Sequence, residues 1–149
     1  MTDLEFWQLI ELIDVPALDG GCEEEALAPL GAALRMKSEA QLFAFEEALS
    51  RNLYTIDGEA YANQAGDSGG SSDAFLYIRC YVVAKGCKFY DDVKSDPRRI
   101  PKSVEQWCEP LLYIHRAAWA DLTGSDQSEW PFEATVSYES GDNKDLWPA

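Results

Sequence analysis

The segment from Ala74 to Ala84, reading Ala-Phe-Leu-Tyr-Ile-Arg-Cys-Tyr-Val-Val-Ala, is apolar on nearly every side. A helix without a polar face has to lie inside the fold, surrounded by other helices. Gly86 fits its C-terminal stop. A chain of 149 residues suits one domain with a full core and leaves little room for two. With 46% hydrophobic and 12% aromatic residues it has enough material to bury, so its net charge of −15 does not signal disorder.

The surrounding segments carry helix signals. Thr2 with Glu5 forms a capping box, and Phe6, Leu9, Ile10 and Ile13 follow at helical spacing, predicting a helix that ends near Asp14 to Pro16. Residues 17–22 read as a loop punctuated by Gly20 and Gly21, and a second helix is expected from Glu23 to about Leu34 despite Pro29 and Gly31. Ser38 with Gln41 opens a helix through Leu42, Phe45, Leu49 and Leu53. A shorter helix is expected over 57–65, then a low-complexity patch at 66–72, the central helix, and a short helix from Cys87 to Ser95 stopped by Asp96 and Pro97. The last helix is predicted from about Ser103 to Leu122 with Gly124 as its stop, Pro110 either kinking it or starting a second segment. Beyond Gly124 the chain is polar with irregular aromatics, and residues 133–138 read as a short strand or as an extended arm over the core. The expected architecture is therefore mainly α. It is a single-domain bundle of about six or seven helices around a central apolar helix, with a helical core over 1–124 and an irregular aromatic C-terminal tail over 125–149.

The charge is uneven. Residues 1–34 hold eight acids and no base, residues 35–116 twelve acids and eleven bases, and residues 117–149 seven acids and one lysine. Such acidity argues against a nucleic-acid binder, which needs Lys and Arg along the phosphates, and against docking on anionic membranes. No apolar run reaches the ~20 residues of a membrane span, and the N-terminus has neither the basic nor the apolar region of a signal peptide. Four cysteines without CxxC spacing and one histidine imply no zinc site, no metal and no cofactor. A cytoplasmic home with reduced thiols is expected.

A few residues could carry chemistry. Gly69 to Asp73 precede the central helix, where backbone N–H groups and the helix dipole favour an anion; the plainer reading is a cap by Ser71 or Ser72 with Asp73 in the first turn. Arg79 lies on the most apolar arc of the central helix and must find a partner, either an internal ion pair tying two helices or a carboxylate or phosphate ligand. His115, the only histidine, falls within an apolar stripe of Val104, Trp107, Cys108, Leu111, Ala118, Trp119 and Leu122, as a hydrogen-bonded core residue or a general base. A pairing of Cys108 with His115 is formally possible, but nothing around them suggests a stabilised thiolate. The acids Glu11, Asp14, Asp19, Glu23, Glu24 and Glu25, with Asp3 and Glu5, either are a solvated face or meet a basic partner, and Trp130, Phe132 and Trp147 either cover the core or form an interaction patch.

Glu5 to Ile10 resembles the opening of the bacterial family of domain of unknown function 4240. Gly69 to Arg79, Val82 to Gly86 and Phe89-Tyr90 before Asp96-Pro97 are similar to its central signature, and Leu111 to Tyr113 and Thr123-Gly124 add to the likeness over residues 3–124. The resemblance implies a small, helical, cytoplasmic bacterial protein with no established activity. Ser72 stands where the family tends to carry a second acid beside Asp73, so any role of paired acids, such as metal binding, is in doubt here. The functional expectation is a non-enzymatic, acidic protein-interaction domain, in its sharpest form an immunity- or antitoxin-like protein that neutralises a basic toxin. The alternative is a small-ligand-binding or enzymatic domain with a site formed by Ser72, Asp73, Arg79 and His115. A third use of the same acidity, mimicry of DNA by a regulator, needs carboxylates spaced like duplex phosphates.

Overall fold

The structure is a computed structural model and describes residues 1–148. Its eight α-helices are α1 (Asp3–Ile10), α2 (Val15–Asp19), α3 (Glu23–Leu34), α4 (Glu39–Thr55), α5 (Glu59–Ala62), α6 (Ser72–Ala84), α7 (Cys87–Ser95) and α8 (Ile114–Thr123). Four 3-10 turns lie at Gly66–Gly70, Pro97–Arg99, Glu109–Leu112 and Gln127–Glu129, and no strand forms among the described residues. The apolar segment is the central helix, α6: from Phe75 to Ala84 every residue but Tyr77 is buried. It packs against α4 and α7 and the turn at Glu109–Leu112, while α8 packs between α4 and α3.

Local chemistry sets most of the boundaries. Both capping boxes form, Thr2 with Glu5 and Ser38 with Gln41, each satisfying two amides that the first helical turn leaves open. Ser71 caps α6 through the amide of Ala74, with Asp73 in the first turn. Pro29 sits within α3 on its exposed side and the helix continues through it.

Three expectations need correction. The first helix stops at Ile10, and the segment expected as a loop contains α2, because Asp14 accepts the amide of Ala17 and Pro16 occupies a first-turn position where its missing N–H costs nothing. The shorter helix over 57–65 shrinks to Glu59–Ala62, leaving Asp57 outside it as a fully buried acid. The long last helix does not form: Ser103 Oγ accepts the amide of Glu105, the amide of Cys108 donates to the carbonyl of Tyr77 on α6, and Pro110 opens a 3-10 turn, so α8 starts only at Ile114. Val104 and Leu122, assigned to its apolar stripe, are each 50% exposed.

The glycines of the low-complexity patch are there for packing. A Cβ on Gly69 would lie 1.9 Å from the carbonyl oxygen of Ala62, and one on Gly66, whose φ is +61°, would lie 2.5 Å from that of Lys102. Two backbones meet here with no space for a side chain.

The tail is an arm laid over the helices, in the second of the two forms expected for it. From Pro131 to Ser140 exposed and half-buried residues alternate, so Phe132, Ala134, Val136 and Tyr138 face the body while Glu133, Thr135, Ser137 and Glu139 face solvent. Phe132 stacks on Phe43 of α4 at 5.1 Å between ring centres.

Candidate functional site

The polar groups buried in this fold gather beneath the arm. Arg79, on α6, is completely buried. Its Nη1 donates to the carbonyl of Leu53 at 2.9 Å, and its Nη2 donates to the carbonyl of Tyr138 at 3.0 Å and to Ser140 Oγ at 2.9 Å. The guanidinium lies 4.7 Å from the centre of the Phe75 ring. The expected ion pair between two helices is thus replaced by two carbonyls, a hydroxyl and an aromatic face, while Nε has no partner. Burial pulls the guanidinium pKa down, and the charge of Asp57 opposes it.

Asp57 is the anionic counterpart. It accepts the amide of Gly141 on both oxygens at 3.1 Å, the amide of Asn143 at 3.0 Å and the indole Nε1 of Trp147 at 2.8 Å. Ser140 Oγ donates onward to the carbonyl of Ser72 at 2.7 Å, and Asn143 Nδ2 donates to the carbonyl of Tyr54 at 2.8 Å. Two buried charges of opposite sign therefore hold residues 138–147, one through carbonyl and hydroxyl oxygens and the other through N–H groups.

A second cluster lies under the first half of the arm. His115, fully buried on α8, shares its Nε2 with Glu46 Oε1 at 2.5 Å. Arg116 donates to the same carboxylate from Nε at 3.2 Å and Nη2 at 2.6 Å. Burial pushes the Glu46 carboxyl up, but the hydrogen bonds from His115 and Arg116 outweigh it and hold the group below its usual range. Burial pulls the His115 pKa down, with the hydrogen bond and charge of Glu46 opposing. Its Nδ1 has no partner, and neither has Nε1 of Trp130, whose ring meets His115 edge-on at 5.3 Å. Trp119, Phe43 and the Arg116 guanidinium complete the surroundings of Trp130. Glu46, Ser50 and Arg116 line an open cleft of about 330 Å³ together with arm residues 132–139.

The residues expected to form a ligand site are dispersed. A cavity of about 240 Å³ is lined by Gly69, Gly70, Ser71, Ser72, Phe75, Ser140, Gly141 and Trp147. Neither Asp73, Arg79 nor His115 lines it. Ser72 and Arg79 are linked only through Ser140, and His115 belongs to the other cluster. Burial pushes the Cys108 thiol up to about 12 and that of Cys80 well above its ordinary value, so neither supplies a thiolate nucleophile at neutral pH. No group of three or more candidate metal ligands occurs among the described residues. The Arg79 and Asp57 cluster holds the arm by hydrogen bonds, and the Glu46 cluster meets it through the ring of Trp130.

The acids expected to face a partner are differently placed. Glu11, Glu24 and Glu25 are exposed and their side chains form no salt bridge among the described residues, Glu11 ending α1 as its C-cap, while Asp14 is the N-cap of α2. Asp19 accepts from Tyr81 Oη at 2.6 Å and Lys85 Nζ at 2.8 Å, tying α2 to α6. Asp19, Glu23 and Glu105 nevertheless share a groove of about 460 Å³ with Val104 and Trp107, and no basic residue lines it. Burial, with the charge of Glu109, raises the pKa of Glu23. Trp130 and Trp147 are half-buried and packed on the body.

Sequence reasoning missed Asp57, Glu46 and Arg116. Glu46 and Ser50 had a signal: they continue the face of Leu42, Leu49 and Leu53 at helical spacing, an interruption of the apolar stripe by polar groups that must find partners inside. Asp57 had none, because its partners lie 84–90 residues further along the chain.

Comparison with known proteins places this arrangement in a family without explaining it. Neither the curated proteins nor the solved structures hold a match. A family model described as "Protein of unknown function (DUF4240)" matches residues 1–121. That span includes Glu46, Asp57, Arg79, His115 and Arg116 but not the arm. The chain belongs to the DUF4240 family.

Proposed function

We propose that this protein is a non-enzymatic interaction domain whose acidic outer surface binds a basic protein partner. The observation that carries the reading is the groove between the end of α2, the start of α3 and the turn at 103–107, where Asp19, Glu23 and Glu105 lie with Val104 and Trp107 and without a base. Glu24 and Glu25 extend the negative field outward. Asp19 already has Lys85 as its partner, but Glu23 and Glu105 have no salt bridge among the described residues and favour a positive side chain from outside, and a net charge of −15 speeds its capture. The buried charges of Arg79 and Asp57, by contrast, are spent on the arm. In its sharpest form the domain is a cytoplasmic, bacterial immunity- or antitoxin-like protein that occludes a basic toxin. Four free cysteines suit a reducing compartment, and among the described residues no helix is long and apolar enough to cross a membrane.

The experiment is coexpression with the product of the adjacent gene, followed by affinity measurement across a salt series. A basic product whose toxicity is relieved, and whose binding weakens with salt and with the combined substitutions Glu23→Gln, Glu24→Gln and Glu105→Gln, supports the reading. Binding indifferent to both salt and these substitutions contradicts it.

A further inference from the structure

The two halves of the arm are held by different chemistry. Residues 138–147 are clamped by fully buried Arg79 and Asp57 through hydrogen bonds of 2.8–3.1 Å. The first half rests on ring contacts of Trp130 and Phe132 and on one exposed junction, where Thr135 donates from N and Oγ1 to Glu47 at 2.8 and 2.6 Å. Between these supports the arm borders an open cleft whose other walls are Glu46, Ser50 and Arg116. Closure of the first half also buries two nitrogens without partners, His115 Nδ1 and Trp130 Nε1, on rings that touch. Each such group costs about 1–3 kcal/mol, which opening to water would recover.

We propose that residues 125–136 are a flap that opens over the cleft while residues 138–147 stay clamped, and that protonation of His115 drives the opening. Gly124, at φ +72°, joins the flap to α8 on one side, and the Tyr138 anchor limits it on the other. In the closed state a proton on Nδ1 would make a second buried donor facing Trp130, whose only polar atom is itself a donor. The charged groups facing His115 are Glu46 from α4 and Arg116 from α8; Phe45 and Trp130 complete its surroundings. Glu46 is already shared with Arg116 and receives His115 on Nε2, so it offers nothing to Nδ1. Opening exposes that nitrogen to water, and a proton bound there stabilises the open form. The open flap presents Phe43, Trp119 and the Glu46–Arg116 pair to solvent. This device is independent of the acidic groove.

A single histidine makes the test clean. The imidazole of the full chain is titrated by NMR between pH 8 and 5 while hydrogen-exchange protection factors are followed for 125–136 and 138–147. Protection of 125–136 is expected to fall severalfold as the pH drops through and below the range of a solvent-exposed imidazole, because the open form takes up the proton more readily than the closed one. Protection of 138–147 should hold within about twofold, and the acid-linked loss should vanish in His115→Gln. Titration of His115 without loss of protection, an unchanged loss in His115→Gln, or joint opening of both segments would each overturn the proposal.

Discussion

Replacing Arg79 by methionine separates a buried charge that holds the fold from one waiting for a ligand. Methionine keeps an unbranched side chain in the same space but removes all three hydrogen bonds from the guanidinium. Hydrogen bonds from a charged donor contribute about 1.5–3 kcal/mol each, although relief of the cost of burying the cation returns part of that sum. The substitution also leaves Asp57 buried without its opposite charge. Breaking such an arrangement from one side costs about 3–5 kcal/mol. For a domain of this size that is a loss of about 6–20 °C in Tm. Thermal unfolding followed by circular dichroism, with urea unfolding as a check, measures it. The double variant Arg79→Met with Asp57→Asn should lose less than the sum of the single losses, with a coupling of about 1–3 kcal/mol. A single variant within about 1 kcal/mol of the parent protein would refute the structural role of Arg79.

Gly69→Ala should destabilise by at least 3 kcal/mol in urea unfolding, because its Cβ would fall 1.9 Å from a backbone oxygen that cannot move alone. Stability should also fall with acid in a way that depends on Glu46. Its carboxyl is held below the ordinary range, so its contribution is present above about pH 4.3 and fades as pH falls through the lower folded value. Glu46→Gln, less stable at neutral pH, should therefore show a shallower acid slope in urea midpoints; parallel curves would contradict the assignment.

The helical body was legible because its signals are local. The capping boxes of Thr2 and Ser38, the stop at Asp96-Pro97 and the all-round apolar character of α6 each depend on residues within one or two turns. The long last helix failed where non-local pairing won: the amide of Cys108 goes to Tyr77, and the apolar spacing through Val104 was fortuitous. Arg79 was identified as a residue in need of a partner, but its partners were out of reach of spacing, since they are the Leu53 carbonyl 26 residues upstream and the Tyr138 carbonyl and Ser140 hydroxyl some sixty residues downstream. The indoles of Trp130 and Trp147 are typical of binding surfaces and of core covers alike, and only their contacts with His115 and Asp57 place them on the body.

Charge has two roles in this chain, which composition alone merges. The acids of the first helices lie mostly outside, where nothing in the fold requires Glu11, Glu24 or Glu25. Asp57 and Arg79 lie inside and fasten the arm, while buried Glu46 ties His115 and Arg116 to α4 beneath it. The fastening is the part on which the rest depends, and the amides of Gly141 and Asn143 report it directly, because Asp57 is their acceptor. Residue-resolved hydrogen exchange on the full chain at neutral pH should find both among the slowest amides outside the helices, protected by at least a thousandfold. Exchange of these two amides at the rate of an unstructured peptide would mean that the buried charges do not hold the arm.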